Sequence, residues 1–167
     1  MKKEESILKE FLNDAFDLKS HLMEYLSIKE SDLEGFLDNA KMDLANLHPG
    51  DNLNNTSDFY KEIVGDKHLA DLAAWHISSK DYITDTLKLQ QRFSEKLVLD
   101  FGGGIGTHAL ANAMSAKVEH VFFVDINQTN RDFVRYRAKT LGVENKLSFY
   151  KTIQETKITK FDTIICL

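Results

Sequence analysis

The sequence predicts an α/β fold in which a helical N-terminal region leads into a parallel sheet. Three observations carry that expectation. Residues 1–93 place apolar side chains near the 3.6 spacing of amphipathic helices. From Leu97 onward, short apolar runs alternate with helical patterns, the order that yields parallel strands joined by helices. At the junction stands Val98-Leu99-Asp100-Phe101-Gly102-Gly103-Gly104-Ile105-Gly106, an apolar run, an acid and then four glycines within five positions.

The elements follow in order. Residues 4 to 27 read as one helix, with Ile7, Phe11, Leu12, Ala15, Phe16, Leu22, Met23 and Leu26 on its apolar side. Ser31-Asp32-Leu33-Glu34 is a capping-box sequence that opens a second helix. Its stripe is Leu33, Phe36, Leu37, Ala40, Leu44 and Leu47, and the two helices are expected to form an antiparallel hairpin over residues 1–50. His48 to Ser57 holds the only proline and a cluster of turn formers, so a linker and a subdomain boundary are placed there. Helical patterns resume at 57 or 58, with breaks near Gly65-Asp66 and Ser78-Ser79, and residues 51–96 form a helical region leading into the sheet.

Strand one is expected over Leu97 to Phe101 and the first helix over Thr107 to Ser115. Strand two is Val121 to Asp125. The next helix runs from Gln128 to Leu141, with Phe133, Val134 and Ala138 inward, and stops at Gly142. Strand three is Leu147 to Tyr150, and strand four is Phe161 to Leu167.

The totals exclude several classes of protein. A length of 167 residues with 43% hydrophobic and 28% charged side chains suits one globular domain, or one with a small extension. The net charge of −5 is uneven: 11 basic against 18 acidic side chains over residues 1–93 give −7, and 10 against 8 over the remainder give +2. An acidic N-terminal part disfavours broad binding to nucleic acid or to an anionic membrane, although a local patch can still hold a nucleic-acid substrate. A small-molecule substrate is therefore expected in preference to a macromolecule. One cysteine, Cys166, allows no intramolecular disulfide, fits a reducing compartment and reads as a small core residue of strand four. No apolar run approaches the ~18 residues of a membrane span. The first six residues lack the apolar stretch of a signal peptide, so a cytoplasmic location is the default.

The glycine turn carries the chemistry. Glycines let a backbone turn tightly and let a ligand approach without Cβ atoms in the way. A dinucleotide site needs G-x-G-x-x-G so that a pyrophosphate can rest on a helix N-terminus. Here the spacing is D-x-G-x-G-x-G, with Asp100 two residues before the first glycine. A carboxylate repels a pyrophosphate and attracts an ammonium or sulfonium group, so the loop suits a cationic nucleoside better than NAD. Asp125 ends the second apolar run, 19 residues after Gly106, where an acid beyond a glycine turn hydrogen-bonds ribose hydroxyls. It is also placed to cap the helix that follows. His68 and His76 stand eight apart with no acidic or cysteine ligand at suitable spacing, so they read as solvated or capping histidines, and no metal site is expected.

Taken together, Asp100 and its alternating glycines after a strand resemble motif I of the class I S-adenosylmethionine-dependent methyltransferases, and Asp125 and Phe161-Asp162 resemble later landmarks of that family. The resemblance covers residues 97–167. It implies a partial Rossmann-like doubly wound parallel sheet of order 3-2-1-4, methyl transfer as the activity and S-adenosylmethionine as cofactor. It implies cofactor contacts from Asp100, Phe101, Gly102, Gly103, Gly104, Asp125, Ile126, Asn127 and Leu167. Asp100 would orient the methionine amino group, Asp125 would bind the ribose, Ile126 would pack on the adenine face and Leu167 would offer backbone near the amino group. Helices before the first strand often cover the nucleoside in this family, so Trp75 and His76 are candidates for the cofactor mouth, while packing under the sheet is the preferred reading of Trp75. One departure stands out: Lys151-Thr152-Ile153 occupies the place where many members carry an acid for the adenine amino group. Thr152 or a backbone carbonyl is a candidate substitute, and the adenine contact is left unassigned. No general base is named, since His108 is expected to pack behind the loop.

Members of the family continue for three more strands. The sequence is thus expected to be the cofactor half of a methyltransferase, inactive alone and open to self-association through strand four or the helical region. An NAD-dependent oxidoreductase and a non-catalytic cofactor-binding or structural remnant stay open as alternatives at this point.

Overall fold

The computed structural model describes residues 2–46 and 65–167. Three helices open the chain: α1 (Lys2–Asp14), α2 (Leu18–Leu26) and α3 (Glu30–Asn46). Two more precede the sheet, α4 (Gly65–Ser78) and α5 (Lys80–Phe93). Then follow β1 (Leu97–Phe101), α6 (Thr107–Met114), β2 (His120–Val124), α7 (Gln128–Thr140), β3 (Leu147–Tyr150) and β4 (Thr163–Ile165). Short 3-10 turns at Glu144–Lys146 and Ile153–Thr156 flank β3.

The four strands form one all-parallel sheet, as the alternating pattern predicts, in the order β3-β2-β1-β4 that the family resemblance implies. Val98, Val121, Phe123 and Ile165 point to the face covered by α6 and α7, where Leu110, Val134 and Ala138 meet them. Leu99, Phe122 and Val124 form a smaller cluster on the other face with Tyr150 and Phe161 nearby. Alternation of side chains along each strand explains the two sets.

The single helix expected over residues 4–27 is two. The chain breaks at Ala15-Phe16-Asp17, whose φ values of 57°, 59° and 55° are all left-handed. Asp17 donates its N–H to Asp14 Oδ1 at 2.9 Å, which closes the corner. The carbonyls of Ala15 and Phe16, released from helical pairing, both accept from the buried guanidinium of Arg137. Tertiary demand for those acceptors overrides an unbroken apolar periodicity. The α3 helix starts one residue before Ser31, whose hydroxyl donates to Asp32. Among the described helices, α3 packs on α4 and α1 on α5. The linker at 48–57 and the boundary near residue 50 lie outside the described residues, as do the side chains of Ala40, Leu44 and Leu47.

Two strands differ from expectation at their ends. Strand two ends at Val124, so Asp125 stands just beyond it. Strand four spans only Thr163–Ile165, because Asp162 turns back on Leu97: its N–H donates to the Leu97 carbonyl and its carboxylate accepts the Leu97 N–H. Cys166 falls past the strand and is exposed, not a core residue.

Candidate functional site

The site grows from the carboxyl ends of β1 and β2. Gly102 continues the ladder by donating to Val124, and then the chain leaves the sheet. Gly102 has φ +72°, and a Cβ there would project into open space. Gly103 is glycine for the opposite reason. A Cβ there would meet Phe123 Cε2 at 2.4 Å and Asp100 Oδ2 at 2.8 Å, distances no side chain tolerates. The loop thus presses on the strand ends while leaving its outer surface bare.

Asp125 holds the loop from the β2 side. Its Oδ2 accepts from Gly104 N–H at 2.9 Å and from the Asn130 amide at 3.3 Å, and its Oδ1 accepts from Asn127 N–H at 2.8 Å. The buried Arg131 donates to the Asp125 carbonyl and to Gln128. The cap of α7 is Asn127, whose Oδ1 accepts from Thr129 and Asn130 N–H groups. Asp125 is therefore left free of the capping role that its position also allowed.

Asp100 is 3% exposed and lies behind the loop. One N–H, from Ala109, reaches its carboxyl group, and Oδ2 has no hydrogen-bond partner among the described residues. Burial, with a smaller contribution from the charge on Asp125, pushes its pKa up to about 7.

Over these groups opens a cavity of about 560 Å³, within the ~300–1,000 Å³ range of small-molecule sites. Phe101, Gly102, Gly104, Val124, Asp125, Ile126, Asn127 and Asn130 line one side. Lys151, Thr152, Ile153 and Gln154 form the other, and Leu72 of α4 reaches in beside Gly104. The Lys151–Gln154 wall is fixed by a capping box. Thr152 accepts from Glu155 N–H, and the Glu155 carboxylate accepts from the Lys151 and Thr152 N–H groups.

Of the residues singled out in the sequence, Phe101, Gly102, Gly104, Asp125, Ile126 and Asn127 line this cavity, and Asp100 and Gly103 lie directly behind it. Leu167 does not: it borders a separate cavity of about 270 Å³ with Leu89, Phe93 and Ile164. Trp75 is 46% exposed and stacks edge-on with His76 and Tyr82, so it neither packs under the sheet nor lines the cavity. His76 is buried, not solvated. It pairs with the Thr107 hydroxyl, and burial pulls its pKa down to about 3. His108 packs behind the loop as expected, paired with Thr86, its pKa lowered by burial to about 4. The side chain of His68 lies outside the described residues. Sequence reasoning missed Leu72, Asn130 and Gln154. Their only signal was membership of a helix or turn that the sheet brings alongside.

Among the described residues, no group of three or more histidines, cysteines or acids is arranged to hold a metal ion. No described helix is long and apolar enough to cross a membrane.

Comparison with known families gives a match to the methyltransferase small domain over residues 81–166. That stretch runs from the first turn of α5 through β4 and contains the whole glycine loop. Searches of curated proteins and of solved structures returned no match.

Proposed function

Because this chain belongs to the methyltransferase small domain family, and is a methyltransferase on that ground, we propose that its methyl donor is S-adenosylmethionine, held over the carboxyl ends of β1 and β2. When bound, that cofactor supplies an electrophilic methyl carbon on a sulfonium that carries its own leaving group. The protein's task is then chiefly to bind and align.

The observation that carries the reading is the unpartnered buried oxygen of Asp100 behind the glycine loop. A buried acceptor without a donor costs free energy on the order of 1–3 kcal/mol, and a cationic ammonium is the group that relieves it best. A pyrophosphate brought to the same loop would be repelled. Asp125 complements this. Its Oδ1 accepts one protein hydrogen bond and keeps a lone pair for a ribose hydroxyl. Ile126 and Leu72 supply apolar walls, and Thr152 stands at the far side with its hydroxyl proton still to donate. Asn127 and Asn130 hold Asp125 in place. Methyl transfer gains mainly from alignment, which supplies roughly 7–11 kcal/mol in favourable cases. No general base is assigned: among the described side chains, the histidines beside the loop, His76 and His108, are buried and paired to threonines.

Isothermal titration of the protein with S-adenosylhomocysteine and, separately, with NAD tests the proposal. Micromolar or tighter binding of the first and none of the second is expected. Tighter binding of NAD overturns it.

A further inference from the structure

We infer that Arg137 is a positioning residue for the cofactor loop, and that the left-handed corner at residues 15–17 is the second half of its seat. This rests on the reading of the cavity as the S-adenosylmethionine site.

The loop is held at two consecutive residues. Gly104 donates its N–H to Asp125 Oδ2, and the next residue, Ile105, accepts at its carbonyl from Arg137 Nη1, each at 2.9 Å. An acid and a base thus grip neighbouring backbone groups of a segment that its glycines would otherwise leave loose. The Ile105 side chain is fully buried, and it is buried in the core of the helical region, with Phe11, Phe16, Leu18, Leu22 and Phe133. The loop turns Gly102 and Gly104 to the cavity and its one large apolar residue to the helices.

Arg137 itself has no exposure to solvent. Three more of its N–H groups go to the Ala15 and Phe16 carbonyls at 2.9 and 3.1 Å and to His21 Nδ1 at 3.4 Å. In an unbroken helix those two carbonyls would be taken by residues four further on. The corner frees them, by placing three non-glycine residues in a region they rarely adopt. Such a corner is explained by the acceptors it presents. A planar fork with several donors can span the corner and the loop at once, which a lysine ammonium cannot do. A loop already fixed loses less entropy when a ligand binds, and so binds more tightly.

The test uses the full chain with Arg137→Lys and, as a milder probe, Asp14→Ala, which removes the acceptor that closes the corner. Three quantities are measured: thermal unfolding, affinity for S-adenosylhomocysteine by calorimetry, and amide exchange of the unliganded protein. Arg137→Lys is expected to weaken binding about tenfold or more and to speed exchange across residues 102–107, with the central amides of β1 and β2 unchanged. Asp14→Ala is expected to do the same by roughly two- to threefold. A folded Arg137→Lys with a lower melting temperature but full affinity and unchanged loop exchange makes Arg137 merely structural and overturns the inference. If that variant fails to fold, Asp14→Ala decides by the same two readouts. If the unaltered protein does not bind S-adenosylhomocysteine, the cofactor reading falls, and loop exchange alone still decides whether Arg137 grips the loop.

Discussion

Asp100 and Asp125 stand at the carboxyl ends of adjacent parallel strands, both buried, and are opposite in chemistry. Asp125 receives three donors from the protein. Asp100 receives one and keeps a bare oxygen, so burial drives its pKa up to about 7. The difference teaches that burial alone does not set the role of a carboxylate. The count of donors does. One acid is held by the protein's own donors and shapes the loop, and the other is left wanting a positive partner.

Removing the acid so held should have the largest effect. Asp125→Ala strands the Gly104 and Asn127 N–H groups and the Asn130 amide, at an expected cost of about 2–4 kcal/mol in a urea melt. Affinity for S-adenosylhomocysteine should fall at least tenfold alongside. A variant within ~0.5 kcal/mol of the parent would erase the contrast between the two acids.

Removing the other acid should do the reverse to stability. Asp100→Asn keeps the shape and discards the buried charge. At pH 8, unliganded, it should be more stable than the parent by about 1–2 kcal/mol, with the advantage shrinking toward pH 5, where the parent's carboxyl is already protonated. Cofactor-product affinity should nonetheless drop about tenfold, since the ammonium loses its counter-charge. Equal destabilisation by both substitutions would sink the distinction.

The pH profile sharpens it further. The folded pKa of Asp100 is raised, so its contribution to stability is lost as pH climbs from about 4 through about 7. His21, His76 and His108 have folded pKa values lowered by burial to about 4, 3 and 4, so their contributions are complete above ~6.5 and fade as pH falls below it. Three protons outweigh one on the acid side. Stability should therefore rise from pH 4 and flatten by about pH 7.5, where the end of the histidine gain cancels the Asp100 loss. Urea melts across pH 4–8 read this, and Asp100→Asn should remove the cancelling loss alone, so that its curve keeps rising between about pH 6.5 and pH 8 where the parent's levels off. The smallest effect belongs to Ile126→Ala, on the cavity wall. Calorimetry should show a two- to threefold loss of affinity, about 0.5 kcal/mol, with the melting curve unmoved.

How much of this was legible follows from the range of the interactions. The β1 strand and its glycine turn were readable because alternation and glycine spacing are local signals, and the strand order came only with the family resemblance. The two acids were readable as a pair flanking the loop, but not as opposites, since donors such as the Asn130 amide and Gly104 N–H are set by the folded loop. Leu72 could not be assigned to the cavity, because its position in a helical stripe marks it only as apolar. The corner at Ala15-Phe16-Asp17 was illegible: it contains neither glycine nor proline, and the helical spacing runs straight through it. Arg137 sits amid other charges on α7 and reads as solvated. Its burial is a property of the corner, and the corner's shape is a property of Arg137.

That mutual dependence has a kinetic side. The guanidinium and the Ala15 carbonyl are 122 residues apart in sequence. Until α7 has been made and has docked, nothing rewards three residues for leaving the helical region, and α1 and α2 are free to run on as one rod. The corner is thus expected to set late, after the barrier to folding has been crossed. Destabilising it, as Asp14→Ala does, should speed unfolding in stopped-flow experiments and leave the refolding limb where it was. A slowed refolding limb would instead place the corner in the nucleus. On a ribosome the same order means that the first helices wait, shaped otherwise, for a residue 122 positions after Ala15 to bend them.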